Sequence, residues 1–481
     1  MNTTITLFDW ASVKMEATLA VFAVLVLLGS AALPERFSKF VSILAFLGMY
    51  AALAVGFAFR GSAENALISN NYVYACLITI CALLTSQMGF SYFEKIGRPS
   101  LRNEFAATVM MCAAMLILFG RSNNLMLSFV ALEGATICLY IMAAFDKNSS
   151  AAVEASVKYI VIGGVSGAIL LMGIAFVYGA GRLAGADYLS FCNFSAGLLN
   201  GFFKVGMIFI LAGVLFKMAA FPFQFWAPDV YQGAPTPASA FFAVASKIAG
   251  VVFLAKICAS LKFDSAEIIL AKEHFVFAIS VVAILTIIIG NFGGITQVKT
   301  KRLLAFSGIS NAGYLLVLIA AILREPRTLD SFEPVLYFYL GAYMLANYAL
   351  FFAVGQFDTA EDFGQSFADY RGLMKKHPIT GSALAVSLAS LAGIPPTAGF
   401  FGKVLVLILA WYAQLYILMG VMIVGSVVSI YYYFGWIRAM VEPRDSGECS
   451  FTPTSGTKQT IVLLSTAVVA LSFAVLTFVG A

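Results

Sequence analysis

Four charged side chains interrupt the long apolar runs of this sequence: Glu133, Lys217, Lys247 and Lys403. A charged group at the centre of a bilayer costs about 2.5–3.5 kcal/mol on insertion scales, so residues of this kind are rare there and mark ion or proton paths. Lysine and carboxylate side chains can each exchange between a charged and a neutral form. The four residues are therefore the predicted members of a proton-transfer path.

The composition indicates which elements must position these residues. Of 481 residues, 61% are hydrophobic and only 11% are charged, and the mean hydropathy is +0.93. Continuous apolar runs of about twenty residues predict a polytopic all-α protein in a lipid bilayer, and they exclude an outer-membrane barrel, whose strands alternate. The net charge of +5 is dispersed among short loops and does not indicate a nucleic-acid partner.

Residues suited to metal, redox or nucleotide chemistry are sparse. The seven cysteines form no CxxC pair and mostly lie in apolar runs, so we expect them to pack as small apolar side chains. His274 and His377 lie at the edges of spans and cannot build a haem or zinc site by themselves. Neither GxGxxG nor GxxxxGK[ST] occurs. The sequence therefore predicts no cofactor or metal in this chain.

The apolar runs predict fourteen membrane spans. They lie near residues 16–33, 40–59, 72–92, 103–120, 122–145, 153–179, 203–226, 237–260, 274–294, 303–323, 334–355, 379–413, 415–437 and 459–480. The first run follows Lys14 and lacks a small-residue cleavage site, so it is expected to be a retained helix.

Two groups of five spans share one pattern. Spans four to eight form the first group, whose fourth member is interrupted by Pro222 and Pro228; spans nine to thirteen form the second, whose fourth member is interrupted at GIPPTAG, residues 393–399. Because five is odd, the second group must lie inverted relative to the first, as in transporters that use a half-path from each side. The predicted division is 1–102 for three N-terminal helices, 103–260 and 272–438 for the repeats, and 439–481 for a C-terminal helix.

The lysines at the two breaks are placed differently along the chain. Lys217 precedes the first break, where exposed carbonyl groups favour a cation, whereas Lys403 follows Gly399, near the start of a half-helix whose dipole opposes one. Glu133, at the middle of span five, is the expected partner of Lys217. The alternative for this pair is a static ion pair between helices, although buried pairs bring little net stability.

Three further charged residues have simpler interpretations beside the functional one. Lys158 follows Glu154 by four residues, which allows a local salt bridge, and a role in charge coupling is the alternative. Lys256 lies near the end of span eight, where its long stem can reach the interface. Asp229, beside Pro228, is expected to cap a loop or contact a partner.

Basic residues also predict the orientation. The loops after odd-numbered spans carry more lysine and arginine than the loops after even-numbered spans, so the former are expected on the cytoplasmic side. With an even number of spans, both termini would then lie on the non-cytoplasmic side. The expected location is a bacterial cytoplasmic (inner) membrane.

Three stretches resemble one protein family: FKMAAFPFQFWAPDVYQGAPTPASAF from Phe216, KRLLAFSGISNAGYLLV from Lys301 and LAGIPPTAGFFGKV from Leu391. The chain looks like the N-type antiporter-like subunits of proton-pumping NADH:quinone oxidoreductase, respiratory complex I, over essentially its whole length. The PDVYQGAP element is specific to N-type subunits, and the M-type carries glutamate where Lys403 stands. The L-type adds a long lateral helix arm after its fourteenth span.

The resemblance implies roles for matching residues. Glu133 and Lys217 would head the path, Lys247 would connect it on span eight, and Lys403 would serve the exit half-path. NADH, FMN, iron–sulfur clusters and quinone would be bound by partner subunits, and this chain would bind none of them. Its partners would be the neighbouring antiporter-like subunit and small membrane subunits.

A second function class stays open from the sequence. An Mrp-type or stand-alone cation/proton antiporter would share the buried lysines and the broken helices. Such proteins usually carry a histidine in a stretch like AMxxPTPVSALIHAATMV, and span eight of this chain lacks it. The electron donor also stays open, because relatives that use ferredoxin instead of NADH share similar motifs.

Overall fold

A computed structural model describes residues 13–58, 71–185, 187, 189–191, 200–261, 266–325, 329–357, 366–443 and 454–479. These residues form seventeen α-helices, named here in chain order. The helices are α1 (Lys14–Ala32), α2 (Ser38–Ala58), α3 (Tyr72–Lys95), α4 (Leu101–Arg121), α5 (Leu125–Ala143), α6 (Ser150–Ala184), α7 (Gly201–Lys217), α8 (Trp226–Gly233), α9 (Thr236–Ser260), α10 (Ala266–Ile295), α11 (Thr300–Arg324), α12 (Leu329–Val354), α13 (Leu373–Lys376), α14 (Pro378–Ala392), α15 (Ala398–Tyr412), α16 (Tyr416–Val441) and α17 (Ser455–Val479).

Short polar residues set the starts of several helices. The side-chain oxygen of Asn124 accepts hydrogen bonds from the amides of Met126 and Leu127 at the start of α5, and Asn200 caps α7 in the same way. Asparagine is favoured at such positions because its side chain satisfies amides that have no partner within the helix. The apolar runs therefore give the helices, and the residues before them fix where they begin.

The predicted all-α membrane fold is confirmed. Within the described residues, twelve helices are long and apolar enough to cross a membrane. Two interrupted pairs, α7 with α8 and α14 with α15, stand at the seventh and twelfth predicted spans. The described residues thus follow the fourteen predicted spans, and both breaks are present. The prediction that Pro228 interrupts the helix is wrong, because Pro228 lies in the first turn of α8, where a missing backbone donor is tolerated.

Two isolated β-bridges occupy equivalent places in the two repeats. Asn124 pairs with Ser190, and Lys299 pairs with Ser366. In each case the loop before the second helix of a five-span group meets the loop before its broken helix. This correspondence supports the repeat, and the residue boundaries of the four-part division stay a prediction.

Helices α9 and α11 form the centre of the molecule. In each of them 94% of the most apolar stretch is buried inside the protein, against 28% in α1 and 33% in α6. Helix α9 packs against α3, α4, α5, α7, α8, α11 and α12. Because α9 closes the first repeat and α11 belongs to the second, the two repeats meet at this buried pair.

Candidate functional site

The first helix break separates α7 from α8 and leaves backbone groups that need partners. The indole Nε1 of Trp226 donates to the carbonyl oxygen of Phe216 at 3.1 Å, and the amide of Phe221 donates to Oγ1 of Thr286 at 3.0 Å. The carbonyl oxygen of Lys217 accepts a hydrogen bond from Oγ of Ser246 at 3.3 Å. Such satisfaction by protein groups is what permits an interrupted helix at membrane depth.

Lys217 is the last residue of α7, and only 5% of it is exposed. Its Nζ donates to the hydroxyl of Thr136 on α5. That hydroxyl in turn donates to the carbonyl oxygen of Leu132 at 2.7 Å, so its single proton and one lone pair are both used. The ammonium of Lys217 therefore rests on a side-chain hydroxyl at the break.

Glu133 is the expected partner of Lys217, and its charge acts on Lys217 without a salt bridge between them. No pair of charged atoms within 4.0 Å joins these two described residues, because Thr136, one turn further along α5, takes the ammonium. The carboxylate instead lies beside α6, where a Cβ atom at Gly167 would come within 2.7 Å of its Oε1. Glu133 and Thr136 still share a face of α5, so the carboxylate remains one helical turn from the lysine's partner.

Lys247 lies on α9 with 1% of its surface exposed. Its Nζ donates to the carbonyl oxygen of Gly308 on α11 and, at 3.3 Å, to the hydroxyl of Tyr343 on α12. The Tyr343 hydroxyl donates to the carbonyl oxygen of Ala243 at 3.2 Å. A Cβ atom at residue 308 would lie 2.6 Å from this Nζ, so the glycine is what lets the ammonium reach the backbone of α11.

At the second break the lysine reaches backwards along the chain. Helix α14 ends at Ala392 and is capped by Gly393, whose φ of 83° is in the left-handed region. Lys403 lies on α15 with 5% of its surface exposed. Its Nζ donates to the carbonyl oxygens of Leu391 at 2.9 Å and Ala392 at 3.0 Å. The sequence places Lys403 near the N-terminus of α15, whose dipole disfavours a cation, and the structure adds that its ammonium contacts the C-terminal carbonyls of α14, which favour one.

Gly393 is required at this turn for two reasons. Its positive φ is strained for any residue with a Cβ atom. A Cβ atom there would also lie 2.9 Å from Cδ of Lys403, whose side chain passes directly over it. The glycine thus both ends α14 and leaves room for the lysine.

A small cavity of about 10 Å³ lies between the second break and Tyr343. Asn311, Tyr339, Ser390 and Lys403 also line it. This volume is about what one water molecule needs, and the lining offers several polar partners. Because Tyr343 already contacts Lys247, the cavity places Lys247 and Lys403 at the two ends of one short polar route.

Lys217 and Lys247 are related through α9. Ser246, which donates to the carbonyl oxygen of Lys217, directly precedes Lys247. A Cβ atom at Gly250 on α9 would lie 2.9 Å from Met218, the residue after Lys217. The first break therefore packs directly on the helix that carries the central lysine.

Lys158 belongs to a separate, partly exposed cluster. Its Nζ lies 2.7 Å from Glu154, as the i,i+4 spacing predicts, and 3.3 Å from Oδ2 of Asp229. Oδ1 of Asp229 lies 2.6 Å from Arg302. The local salt bridge is confirmed, and the cluster ties α6 and α8 of the first repeat to α11 of the second.

The sequence interpretation missed Thr136, Gly308 and Tyr343. Thr136 and Tyr343 are polar groups inside apolar spans, and Gly308 lies in the small-residue run SGISNAG. These signals were available but not specific, because each residue meets its lysine across at least 61 positions of sequence.

The described residues contain no group of three or more histidine, cysteine or acidic side chains placed to hold a metal ion. Cys81, Cys112 and Cys258 are buried in the apolar core between helices. Cys192 and Cys449 lie outside the described residues. The described cysteines thus pack as apolar side chains.

Comparison with known proteins identifies relatives across the whole site. A family model described as NADH:quinone oxidoreductase/Mrp antiporter, transmembrane, matches residues 122–429, which include the buried lysines Lys217, Lys247 and Lys403. The chain is 37% identical over 448 residues to NADH-quinone oxidoreductase subunit N 1 of Opitutus terrae, covering 90% of this chain and 87% of that protein. It is 33% identical to NAD(P)H-quinone oxidoreductase subunit 2 of Prochlorococcus marinus, covering 85% of this chain and 80% of that protein.

A solved structure shows the same fold. A chain of respiratory complex I from Thermus thermophilus with bound aureothin matches with a TM-score of 0.78 and 29% identity. The match covers 95% of this chain and 96% of that one. The likeness therefore extends over all the helices that carry the buried lysines.

Proposed function

Because this chain belongs to the subunit N family of NADH-quinone oxidoreductases, we propose that it moves protons through two half-paths joined by Lys217, Lys247 and Lys403. As a member of that family it is a membrane subunit of a proton-translocating oxidoreductase, and other membrane subunits of the complex are its partners. One observation supports the proposal. Lys247 contacts Tyr343, Tyr343 lines the water-sized cavity, and Lys403 lines the same cavity, so the two lysines are connected in space through the middle of the protein.

The residues divide into an entry, a centre and an exit. Glu133 and Lys217 form the entry at the first break, where the hydroxyl of Thr136 accepts a hydrogen bond from the ammonium of Lys217. Lys247 is the central group on α9, and Lys403 is the exit group at the second break. Lys158, in its cluster with Asp229, couples charge between the repeats at the protein surface.

Redox chemistry takes place elsewhere in the assembly. NADH, FMN, iron–sulfur clusters and quinone are bound by partner subunits, and this chain binds none of them. It contacts the neighbouring antiporter-like subunit and small membrane subunits. Electron transfer in the partner subunits drives this chain by changing its contacts with the neighbouring membrane subunits.

The protein lies in a bacterial cytoplasmic membrane with both termini on the non-cytoplasmic side. A reporter enzyme fused after Ala481 is expected to be active only on that side, and one inserted in the loop between Gln356 and Lys376 only on the cytoplasmic side. The reverse pattern would overturn the orientation and exchange the two half-paths.

Proton transfer is tested by replacing the central lysine in the assembled complex. Lys247→Ala should lose most NADH-driven proton uptake in inverted membrane vesicles, while native gels show normal assembly, because removal of a buried charge lowers the cost of insertion. Lys204→Ala, at an exposed lysine of α7, is the control. Normal uptake per assembled complex in Lys247→Ala would refute the path.

The Mrp-type or stand-alone antiporter is the second candidate, because the matching family model includes Mrp antiporters. Purification of the native protein decides between the two. A large assembly that contains flavin and iron–sulfur clusters supports the oxidoreductase subunit. An isolated chain, or an assembly free of both, supports the antiporter.

A further inference from the structure

An open apolar groove runs along the outside of the protein between α14 and α17. Its volume is about 790 Å³, and Ile379, Ala383, Val462, Val469 and Phe473 line it. The other lining residues are small, aliphatic or hydroxyl-bearing, and none is charged. Ile379 is 72% exposed and Phe473 is 60% exposed, so the groove opens outward.

The groove is separate from the proposed proton path. Behind it, the buried hydroxyls of Ser387 on α14 and Ser465 on α17 lie 2.9 Å apart and close its floor. Lys403 lies beyond this contact, at the far end of α14. An occupant of the groove would therefore meet the outer surface of the two helices and not the buried lysines.

The two helices run parallel from one face of the membrane. The Ser387–Ser465 contact lies nine residues after the start of α14 and ten after the start of α17, or about 14–15 Å along each axis. Near the start of α17, Oγ1 of Thr460 accepts a hydrogen bond from Gln87, close to the C-terminal end of α3. At the same face, Lys95 at the end of α3 donates to the carbonyl oxygen of Gln356, just after α12, and α14 is the next membrane helix along the chain. The starts of α14 and α17 therefore lie together at one end of the groove.

That end of the groove is positively charged. Lys375 on α13 is exposed and comes three residues before the start of α14, and Lys458, half-exposed, lies in the first turn of α17. The nearby Glu442 lies 2.7 Å from Arg438 and 3.5 Å from Arg371. The carboxylate thus has two arginine partners of its own at this face.

We propose that the groove binds an anionic phospholipid, with one acyl chain between α14 and α17 and its phosphate beside Lys375 and Lys458. From Val462 to Phe473 the wall extends about 16 Å, and one leaflet of a bilayer's hydrocarbon core is about 15 Å thick. The apolar wall thus matches a lipid tail of a single leaflet. Lysines at its interfacial end are the recognised chemistry for an anionic headgroup.

A partner transmembrane helix fits the groove less well. It would continue through both leaflets, and the α14 side of the groove ends at Val386, well before Gly393. Lys375 and Lys458 would also find no negatively charged partner on an apolar helix. The shape and the charge together favour the lipid.

Photo-crosslinking on the intact purified complex tests the site. Phosphatidylglycerol with a diazirine in one acyl chain should label peptides of α14 and α17, and unlabelled phosphatidylglycerol should compete about tenfold better than phosphatidylcholine. Lys375→Gln with Lys458→Gln should weaken labelling about tenfold, and Lys147→Gln, an exposed lysine away from the groove, should leave it unchanged.

Filling the groove gives an independent variant. Ala470→Trp, at an exposed residue of the groove lining, should abolish labelling of α14 and α17 while the complex assembles and pumps normally, since the groove lies outside the proton path. Equal competition by phosphatidylcholine, or labelling that the lysine pair does not affect, would overturn the proposal. Crosslinking of an Ile379→Cys variant to another subunit, with no lipid label, would show a partner helix instead.

Discussion

The two helix breaks place an ammonium at the end of a half-helix by opposite routes. At the first, Lys217 is itself the last residue of α7, and its Nζ turns to the hydroxyl of Thr136 on another helix. At the second, Lys403 belongs to the following half-helix and donates back to the last carbonyls of α14. The inverted repeat therefore preserves the cation at the break but not its partner.

The two breaks differ in which hydrogen-bond acceptors lose their donor when the ammonium moves away. Carbonyl oxygens of Leu391 and Ala392 have no alternative donor within α14, because helix ends leave such groups unpaired. Thr136, in contrast, keeps its bond to the carbonyl oxygen of Leu132 without Lys217. Lys403 therefore stabilises its break, whereas Lys217 is held by a partner that does not depend on it.

The largest test of this comparison is removal of each lysine in turn. Lys217→Ala and Lys403→Ala should each reduce proton uptake of the assembled complex by at least about tenfold, as expected for loss of a proton-transfer group. Only Lys403→Ala should also lower the stability of the subunit, by about 1–3 kcal/mol, because two buried carbonyls lose their donor. Thermal unfolding of the purified complex measures this, and equal destabilisation by both variants would break the comparison.

A substitution at Gly308 can shift the side chain of Lys247 while Lys247 itself is kept. Gly308→Ala adds a methyl group where a Cβ atom would lie 2.6 Å from Nζ of Lys247. Misplacement of a reacting group by about 1 Å can reduce a rate tenfold or more, so proton uptake should fall by about that factor. Gly420→Ala, where a Cβ atom meets nothing within 4 Å, is the matched control. Uptake that matches the control would show that the Gly308 contact is dispensable.

The entry carboxylate allows a similar test on one helix. Gly167→Ala should push the carboxylate of Glu133 away from α6 and lower proton uptake several-fold, because a Cβ atom there would lie 2.7 Å from Oε1. Gly164→Ala, one turn earlier on α6, faces open space and should have no effect. If the two variants behave alike, the position of Glu133 does not matter for entry.

The last test concerns the hydroxyl that holds Lys217, and its readout is the stability of the subunit. Thr136→Val removes that hydroxyl while keeping the shape, and it should lower the stability of the subunit by about 1–3 kcal/mol by leaving a buried ammonium without its acceptor. Thr136→Ser should restore it. Parallel melting curves of the two variants give the comparison, and identical curves would argue against the hydroxyl.

The sequence predicts those features of the structure that depend on composition and on helix-breaking prolines and glycines. Apolar runs predict the helices because each must fill the bilayer, and Pro222 and Gly393 predict the breaks because a proline or a left-handed residue interrupts a helix. The buried lysines were predicted on cost alone. The helices, the breaks and the buried lysines depend on local residues, so the sequence alone predicts them.

The partners of the lysines were not predictable in the same way. Thr136 and Glu133 lie one turn apart on α5, but Thr136 accepts the ammonium of Lys217, whereas the carboxylate of Glu133 lies beside Gly167 of α6. Backbone carbonyl oxygens accept hydrogen bonds from Lys403 and Lys247. Because every residue has a carbonyl group, no residue type marks these acceptors in the sequence. Such contacts depend on how distant helices approach, which a residue pattern does not contain.

The carboxylate of Asp229 has a mechanical consequence. One of its oxygens is bound by Lys158 of α6 and the other by Arg302 of α11, so a single side chain is shared by helices of opposite repeats. If α6 tilts against α11, the two contacts cannot both keep their present lengths, so sliding of the repeats would weaken at least one of them. Asp229 thus links the two repeats at this face, and added salt, by screening exposed charges, should weaken the link.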